Sequence, residues 1–199
     1  EATAEIADDR CKAAPAVMTL PFSGSFKLRS HPRQRVDGAD VYVIDCHFHI
    51  WGPDRREPRR KRDNRRPVRL SAEEIIAAMD EAGVNRAILN PPEWEGSNDL
   101  ALQAAARFPD RFAVIGRIAP ELPESRQLLA GWRSQSGMLG IRLTYGGSRG
   151  KESFSDGVVD WFWPAAEEAG IPVMMLNPGV EHLAEIATRH PNVKLIVDH

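Results

Sequence analysis

Residues 41–51 read Val-Tyr-Val-Ile-Asp-Cys-His-Phe-His-Ile-Trp, the most informative stretch of this 199-residue chain. Its first six residues form a short apolar run rich in β-branched side chains, which predicts a buried strand. His47 and His49 follow at the carboxyl end of that strand. Residues two apart on a strand point to the same face. The stretch therefore predicts a strand that ends in a pair of convergent imidazoles.

Short apolar runs alternate with amphipathic segments through the rest of the chain. Ser71 and Glu74 form a capping box at the start of the first amphipathic segment, and Gly83 ends it. Strands that are apolar throughout are buried on both faces, so the alternation predicts βαβ units around a parallel sheet. Either a (β/α) barrel or a doubly wound sheet fits. We predict strands over 41–46, 86–89, 112–116, 138–143, 172–176 and 193–197, and helices over 71–82, 99–108, 126–134, 158–169 and 180–189.

The two ends of the chain differ from this regular pattern. Residues 1–40 show no sustained period, which predicts an irregular leader with one short strand near 25–28. The sixth predicted strand lies within two residues of His199. A closed eight-stranded barrel needs about 250 residues. We therefore expect residues 41–199 to form a partial barrel that stops after its sixth strand, as a piece of a larger enzyme.

Composition excludes several classes of protein. The chain is 42% hydrophobic and 27% charged, which is typical of a globular domain and not of a collagen, a coiled coil or a disordered chain. No apolar run reaches the roughly 18 residues that a membrane span needs. The 26 basic and 28 acidic residues give no overall attraction to nucleic acid. Two cysteines are too few for a disulfide framework and favour a reducing, cytoplasmic compartment.

Polar residues at the ends of the predicted strands are the candidate site. His199 follows the sixth strand as His49 follows the first, so we expect His47, His49 and His199 to meet on one face. Neutral imidazoles are typical ligands of Zn²⁺ and similar cations. The alternative is that His47 and His49 are structural, hydrogen-bonded to backbone near Trp51.

Four further polar residues end other strands. Arg142 ends the fourth strand, where it would bind a substrate carboxylate bidentately or form a salt bridge at the rim. Arg117 ends the third strand with the same two alternatives. Asn90 and Asn177 end the second and fifth strands, where each would donate to substrate oxygens or form the turn before the following proline.

A basic run over residues 55–66 offers a different function. It could contact phosphate-rich polymers. However, it lacks interleaved aromatic residues and falls between the first strand and the first helix, so we favour a solvated loop that attracts anionic substrates. Nucleic acid is therefore not the expected partner. The aromatic residues Trp161, Phe162 and Trp163 are predicted to be packing anchors of the fourth helix.

Taken together, these residues resemble the amidohydrolase superfamily, specifically its amidohydrolase-related group of lactonases and decarboxylases. The resemblance covers roughly residues 41–199 and implies a (β/α)8 TIM barrel, with the site at the carboxyl ends of the strands. The matching stretches, in the order of the family, are 44–51, 83–89, 98–100, 107–112, 137–143, 161–163, 170–173 and 191–199.

The resemblance also implies roles for individual residues. His47 and His49 match the histidine pair of the first strand, and His199 matches the histidine of the sixth. Arg142 matches an arginine that binds a substrate carboxylate in lactonase relatives. Asn177 stands where metal-dependent relatives have a histidine, which leaves two alternatives: one divalent ion, Zn²⁺ foremost, or metal-independent polarisation of the substrate by the histidines. The essential aspartate of the family, which follows the eighth strand and activates water, has no counterpart in these residues.

The resemblance thus predicts a hydrolase that opens a lactone or cyclic ester of a small carboxylated or sugar acid with activated water. One alternative is a metal-dependent, non-oxidative decarboxylase on the same barrel. Another is an inactive fragment, or an anion- or nucleic-acid-binding protein that uses residues 55–66. The expected partner is a small carboxylated substrate; no membrane is expected, and a homo-oligomer is compatible with this prediction.

Overall fold

The computed structural model describes residues 34–36, 39–52, 71–92, 97–144, 157–176 and 179–199. Within them, strands and helices alternate as the apolar pattern predicts. In chain order the elements are β1 (Gln34–Val36), β2 (Ala39–Val41), β3 (Ile44–Phe48), α1 (Ala72–Ala82), β4 (Arg86–Leu89), α2 (Asp99–Arg107), β5 (Phe112–Arg117), α3 (Ser125–Ala130), a 3₁₀ helix (Trp132–Ser134), β6 (Met138–Thr144), α4 (Phe162–Glu168), β7 (Val173–Leu176), α5 (Val180–Arg189) and β8 (Leu195–Asp198).

Strands β3 to β8 form one parallel sheet in sequence order. A helix connects each strand to the next, and the two strands pair side by side. Parallel neighbours require a crossover connection of this kind. The sheet is curled. This is evident from the contact between its first and last strands, where His47 Nδ1 lies 3.0 Å from a carboxylate oxygen of Asp198. The predicted α/β class and its barrel-like architecture are confirmed, with six strands in the described residues.

The core lies between the outer face of this sheet and the helices. The buried side chains of α1 are Ala72, Ile75 and Met79, and the last two lie one helical turn apart. Phe162 and Trp163 are buried at the start of α4, which confirms their predicted role as packing anchors. The predicted capping box is also present: the Ser71 hydroxyl accepts from the Glu74 amide, and Gly83 ends α1 in the left-handed conformation (φ 69°).

Some boundaries differ from the sequence-based expectation. β1 and β2 form a short antiparallel pair in residues 34–41, most of which were expected to be irregular. The predicted helix over 126–134 is interrupted at Gly131, a residue of low helix propensity. α4 begins at Phe162, four residues later than predicted, because Pro164 is tolerated only in the first turn of a helix. The strand predicted near 25–28 lies outside the described residues.

Arg111 joins the amino-terminal ends of three strands. Its Nε donates to the carbonyl of Asn85 (2.9 Å), and its Nη2 donates to the carbonyl of Val84 (3.2 Å) and pairs with Asp80 (2.8 Å). The Asn85 side chain in turn accepts from the amide of Val43 (2.7 Å), just before β3. A buried guanidinium thus satisfies carbonyls that would otherwise lack donors.

Replacing Arg111 by Met should lower the free energy of unfolding by about 2–4 kcal/mol, because the carbonyls of Val84 and Asn85 would lose a buried donor. Urea unfolding measures the loss. Arg133→Met is the control: Arg133 is exposed and makes a long contact with the carbonyl of Gly170 (3.5 Å), so its change should be about 0.5 kcal/mol or less. Equal losses in the two variants would contradict this role.

Gly140 allows β6 and β7 to approach each other closely. A Cβ on Gly140 would lie 2.7 Å from the carbonyl oxygen of Pro172, which is backbone and cannot move aside alone. The same Pro172 oxygen accepts from the amide of Ile141 (2.9 Å), and the Gly140 carbonyl accepts from the indole of Trp132 (3.0 Å). Any shift of Gly140 therefore disturbs the pairing of β6 and β7.

Gly140→Ala should destabilise the fold by about 1–3 kcal/mol through this overlap. The matched control is Gly131→Ala, where the added Cβ would meet only the Ser134 hydroxyl at 3.7 Å. That control should be neutral or stabilising by up to about 1 kcal/mol. Thermal unfolding of both variants checks the difference, and an unchanged melting temperature for Gly140→Ala would refute the close approach.

Candidate active site

The carboxyl ends of the parallel strands gather the polar side chains that the sequence singled out. β3 and the residue after it supply His47 and His49, while β6 and β8 supply Arg142 and Asp198. His199 follows β8 directly. In a barrel of this type the carboxyl ends form the active-site face. The three predicted histidines therefore meet at one end of the sheet.

His47 and His49 face each other through their Nε2 atoms, which lie 3.2 Å apart. β3 contains a bulge beside them: Asp45 pairs with Ala87 and Phe48 with Leu89, so β3 has one residue more than β4 over this interval. The side chain of Asp45 accepts from the amide of His47 (2.9 Å), which stabilises the bulge. The bulge thus orients the histidine pair.

Asn90 determines the tautomer of His49. Its backbone oxygen lies 2.5 Å from His49 Nδ1. A carbonyl can only accept a hydrogen bond, so His49 Nδ1 carries a proton and its Nε2 presents a lone pair when the ring is neutral. The Asn90 amide, expected at the substrate, is fully buried and donates to the carbonyls of Cys46 (3.3 Å) and Ile88 (3.4 Å).

Asp198 links three of the candidate residues, and sequence analysis did not select it. One carboxylate oxygen receives both Nε and Nη2 of Arg142, at 2.7 and 2.6 Å. The other oxygen lies 3.0 Å from His47 Nδ1 and 3.5 Å from His199 Nε2. Asp198 and Arg142 are each only 5% exposed. A charged residue that ends an otherwise apolar strand was the available signal, because an acid is rarely buried without a partner.

Arg142 and His199 differ in burial and in the contacts that they make. Arg142 forms a salt bridge, as one of its two alternatives stated, but a buried one and not one at the rim. His199 has 64% of its side chain exposed and a left-handed backbone (φ 62°). Its ring lies 4.8 Å from that of His47, centroid to centroid. Asn177 and the basic run 55–66 lie outside the described residues.

Arg117 is positioned by Asn98 at the start of α2. The Asn98 amide oxygen accepts from the amide of Arg117 (2.7 Å), and its NH2 donates to the Arg117 carbonyl (2.9 Å). The guanidinium of Arg117 donates to the hydroxyl of Thr144 at the end of β6 (2.7 Å). Arg117 and Arg142 are also direct partners in the register of β5 and β6. Two arginines therefore lie side by side at the carboxyl end.

Burial controls the charge of His47. It lowers the pKa of the imidazole below the ordinary value for histidine, and the carboxylate of Asp198 opposes that shift. The neighbouring His49, Arg142 and His199 lower the pKa of His47 further. The net effect favours the neutral ring, which is the form that binds a cation.

The donor set fits a divalent cation. Two imidazole nitrogens, each about 2.1 Å from one ion, lie roughly 3.0–3.4 Å apart in octahedral or tetrahedral geometry, and the two Nε2 atoms are 3.2 Å apart. His47, Asp198 and His199 also form a cluster whose ligand atoms all lie within 4.8 Å of one another. His47 and His49 would hold such an ion, with His199 nearby.

Comparisons with known proteins identify the family of this chain. The family model described as "Amidohydrolase" matches residues 44–199. A 4-sulfomuconolactone hydrolase of Hydrogenophaga intermedia is 28% identical over 124 residues, which are 59% of this chain and 39% of that protein. The chain thus spans well under half the length of this curated relative.

Solved structures share the fold. A probable 2-pyrone-4,6-dicarboxylic acid hydrolase of Acinetobacter baumannii, with citric acid bound, has a TM-score of 0.58 at 18% identity, covering 80% of this chain and 58% of that one. A 5-carboxyvanillate decarboxylase of Novosphingobium aromaticivorans, complexed with manganese, has a TM-score of 0.60 at 18% identity, covering 78% and 64%. No helix in the described part of the chain has the length and hydropathy needed to cross a bilayer.

Asn98→Asp should loosen the carboxyl end of β5, because the second carboxylate oxygen would face the Arg117 carbonyl where the NH2 group now donates. We expect a loss of about 1–3 kcal/mol in unfolding free energy and faster hydrogen exchange at the Arg117 amide. Asn192→Asp, on an exposed residue, adds the same charge as a control. The role assigned to Asn98 fails if exchange at Arg117 is the same in both variants.

Proposed function

This chain belongs to the amidohydrolase family, and from that membership we propose that it acts in the hydrolysis of a lactone or similar cyclic ester of a small carboxylated acid. The observation that carries the proposal is the facing pair of His47 and His49 at the carboxyl end of β3. The curated relative, named as a lactone hydrolase, supports the choice of reaction.

The histidine pair is the proposed site of carbonyl polarisation. A divalent cation bound there would supply Lewis acidity to the carbonyl and lower the pKa of a bound water. His47 and His49 would hold it, since neutral imidazoles favour Zn²⁺ among the common cations. Without a cation, only a protonated ring could polarise the carbonyl by donating a hydrogen bond, because the Nε2 of neutral His49 carries a lone pair.

Arg117 and Arg142 are proposed to attract the carboxylate of the substrate. They adjoin in the register of β5 and β6, and two neighbouring guanidinium groups create a positive potential at the carboxyl end. Arg142 is buried and forms a salt bridge with Asp198, so it would contact the substrate while keeping that salt bridge. Arg117 is partly exposed and is held by Thr144.

A metal-dependent decarboxylase on the same site is the second candidate. It is favoured by the likeness to the manganese-containing decarboxylase structure. Both reactions begin with a carboxylated substrate at the same end of the sheet, so the two candidates differ in the bond that breaks and in how strictly a metal is required.

The test is an assay of the purified protein with Zn²⁺ or Mn²⁺ against two substrate types. We expect proton release from a muconolactone or from 2-pyrone-4,6-dicarboxylate, recorded by pH-stat. His49→Ala should reduce kcat/KM by about 100-fold or more. His190→Ala is the control, because His190 follows α5 and contacts Glu167 (3.6 Å), not the histidine pair.

The outcomes separate the candidates. Release of CO2 from a hydroxybenzoate such as 5-carboxyvanillate, without lactone hydrolysis, would replace the proposed reaction by decarboxylation. If the folded protein with either metal acts on neither substrate type, the proposal is wrong. An equal loss of activity in the His49→Ala and His190→Ala variants would remove the histidine pair from the proposed site.

A further inference from the structure

His47 has a buried nitrogen that the proposed function does not explain. Its Nδ1 is inaccessible to solvent and makes no aligned hydrogen bond within the described part of the chain. A carboxylate oxygen of Asp198 lies 3.0 Å from this nitrogen. A buried polar atom left in this state has a free-energy cost, so its position beside a carboxylate calls for a physical reason.

A comparison of the groups that face Nδ1 in His49 and in His47 indicates the role of Asp198. His49 must carry its proton on Nδ1, because that atom faces the Asn90 carbonyl. A carboxylate beside His47 Nδ1 likewise favours the proton on that nitrogen, since an unprotonated Nδ1 would set its lone pair against the oxygen. Both Nε2 atoms then present lone pairs towards the same point, 3.2 Å apart. Such an arrangement is unfavourable in isolation and suits a cation shared by the two rings.

We propose that Asp198 is a positioning residue that holds His47 in the Nδ1-protonated tautomer and aims its Nε2 at the point that His49 Nε2 also faces. Arg142 contributes to the same positioning of His47 through its contacts with Asp198. Its two contacts with the other oxygen of Asp198 fix the orientation of the carboxylate. The inference rests on the proposed histidine-pair site, but it concerns a tautomer and not the reaction.

The burial of His47 Nδ1 and of Asp198 indicates that Asp198 positions His47 and does not itself bind an ion. An ion bound between Asp198 and His47 Nδ1 would have to reach a nitrogen that solvent does not touch. The Asp198 side chain is itself only 3% exposed and already neutralised by Arg142. A hydrogen bond from His47 Nδ1 to Asp198, whose atoms are already 3.0 Å apart, needs no access to solvent. Bonds of this kind are often poorly aligned without ligand and tighten when it binds.

The same geometry gives Arg142 a role beyond substrate binding. Both its Nε and its Nη2 are directed at one oxygen of Asp198. Replacing the guanidinium by an uncharged side chain would leave the buried carboxylate without its charged partner, with His47 and His199 as its remaining neighbours. Arg142 therefore acts on the histidine pair through Asp198.

The first measurement needs no substitution. Long-range proton–nitrogen NMR of the chain with ¹⁵N-labelled histidine reports which ring nitrogen carries the proton at a pH where the rings are neutral. We expect the Nδ1-protonated form for His47. Finding the Nε2-protonated form in the unmodified chain would overturn the proposal.

Asp198→Asn then tests the cause. Removing the charge should shift His47 towards a mixture of tautomers and weaken binding of Zn²⁺ alone, measured by calorimetry, by about 10- to 100-fold. Glu167→Gln is the matched control: Glu167 also places a carboxylate beside a histidine, His190 (3.6 Å), but one that lies outside the histidine pair. The control should leave the tautomer and the affinity unchanged.

The remaining outcomes are decisive as well. If Asp198→Asn abolishes Zn²⁺ binding while the His47 tautomer stays the same, Asp198 is a ligand and the proposal is wrong. An unchanged tautomer with unchanged affinity also refutes it. A shifted tautomer in a chain that hydrolyses no lactone would support this inference and contradict the proposed function, so the two failures are distinguishable.

Discussion

The site depends on one buried interaction, the contact of the Asp198 carboxylate with Arg142 on one side and His47 on the other. A carboxylate removed from water is stable only when both oxygens have partners. Those partners come from β6 and β3, neither of which is adjacent to β8 in the sheet. The curl of the sheet is what brings the three strand ends together, so the charge pair and the curvature support each other.

The two ends of the sheet have different tasks. At the amino end, Arg111 and Asn85 together connect the segments before β3, β4 and β5, and this contribution is to stability. At the carboxyl end, histidines and arginines gather around one aspartate, whose negative charge offsets the repulsion between the positive groups. Parallel strands allow this division, because every strand begins at one edge and finishes at the other. Polar residues with a chemical role can therefore collect without weakening the pairing beneath them.

Much of the fold could be predicted from the sequence because it rests on local patterns. The alternation of apolar runs with amphipathic segments predicts the element order, and Ser71 with Glu74 predicts the start of α1. His47 and His49 could be selected because residues two apart share a face of a strand. The start of α4 at Phe162 differs from the periodic pattern because Pro164 fits only the first turn of a helix. The β3 bulge beside His47 had no local signal, since it exists only in the register with β4.

The sequence by itself determined the order of the elements, the parallel sheet and the candidate histidines, because these depend on contacts between residues a few positions apart. Only the tertiary structure brought Asp198 into contact with His47, His199 and Arg142. Arg142 and Asp198 are separated by 56 positions and meet only once the sheet is curled. The tautomers of His47 and His49 were likewise decided by atoms from other strands, the Asn90 carbonyl and the Asp198 carboxylate. Hydrogen-bond partners of this kind follow from strand order and curvature, which no local periodicity encodes.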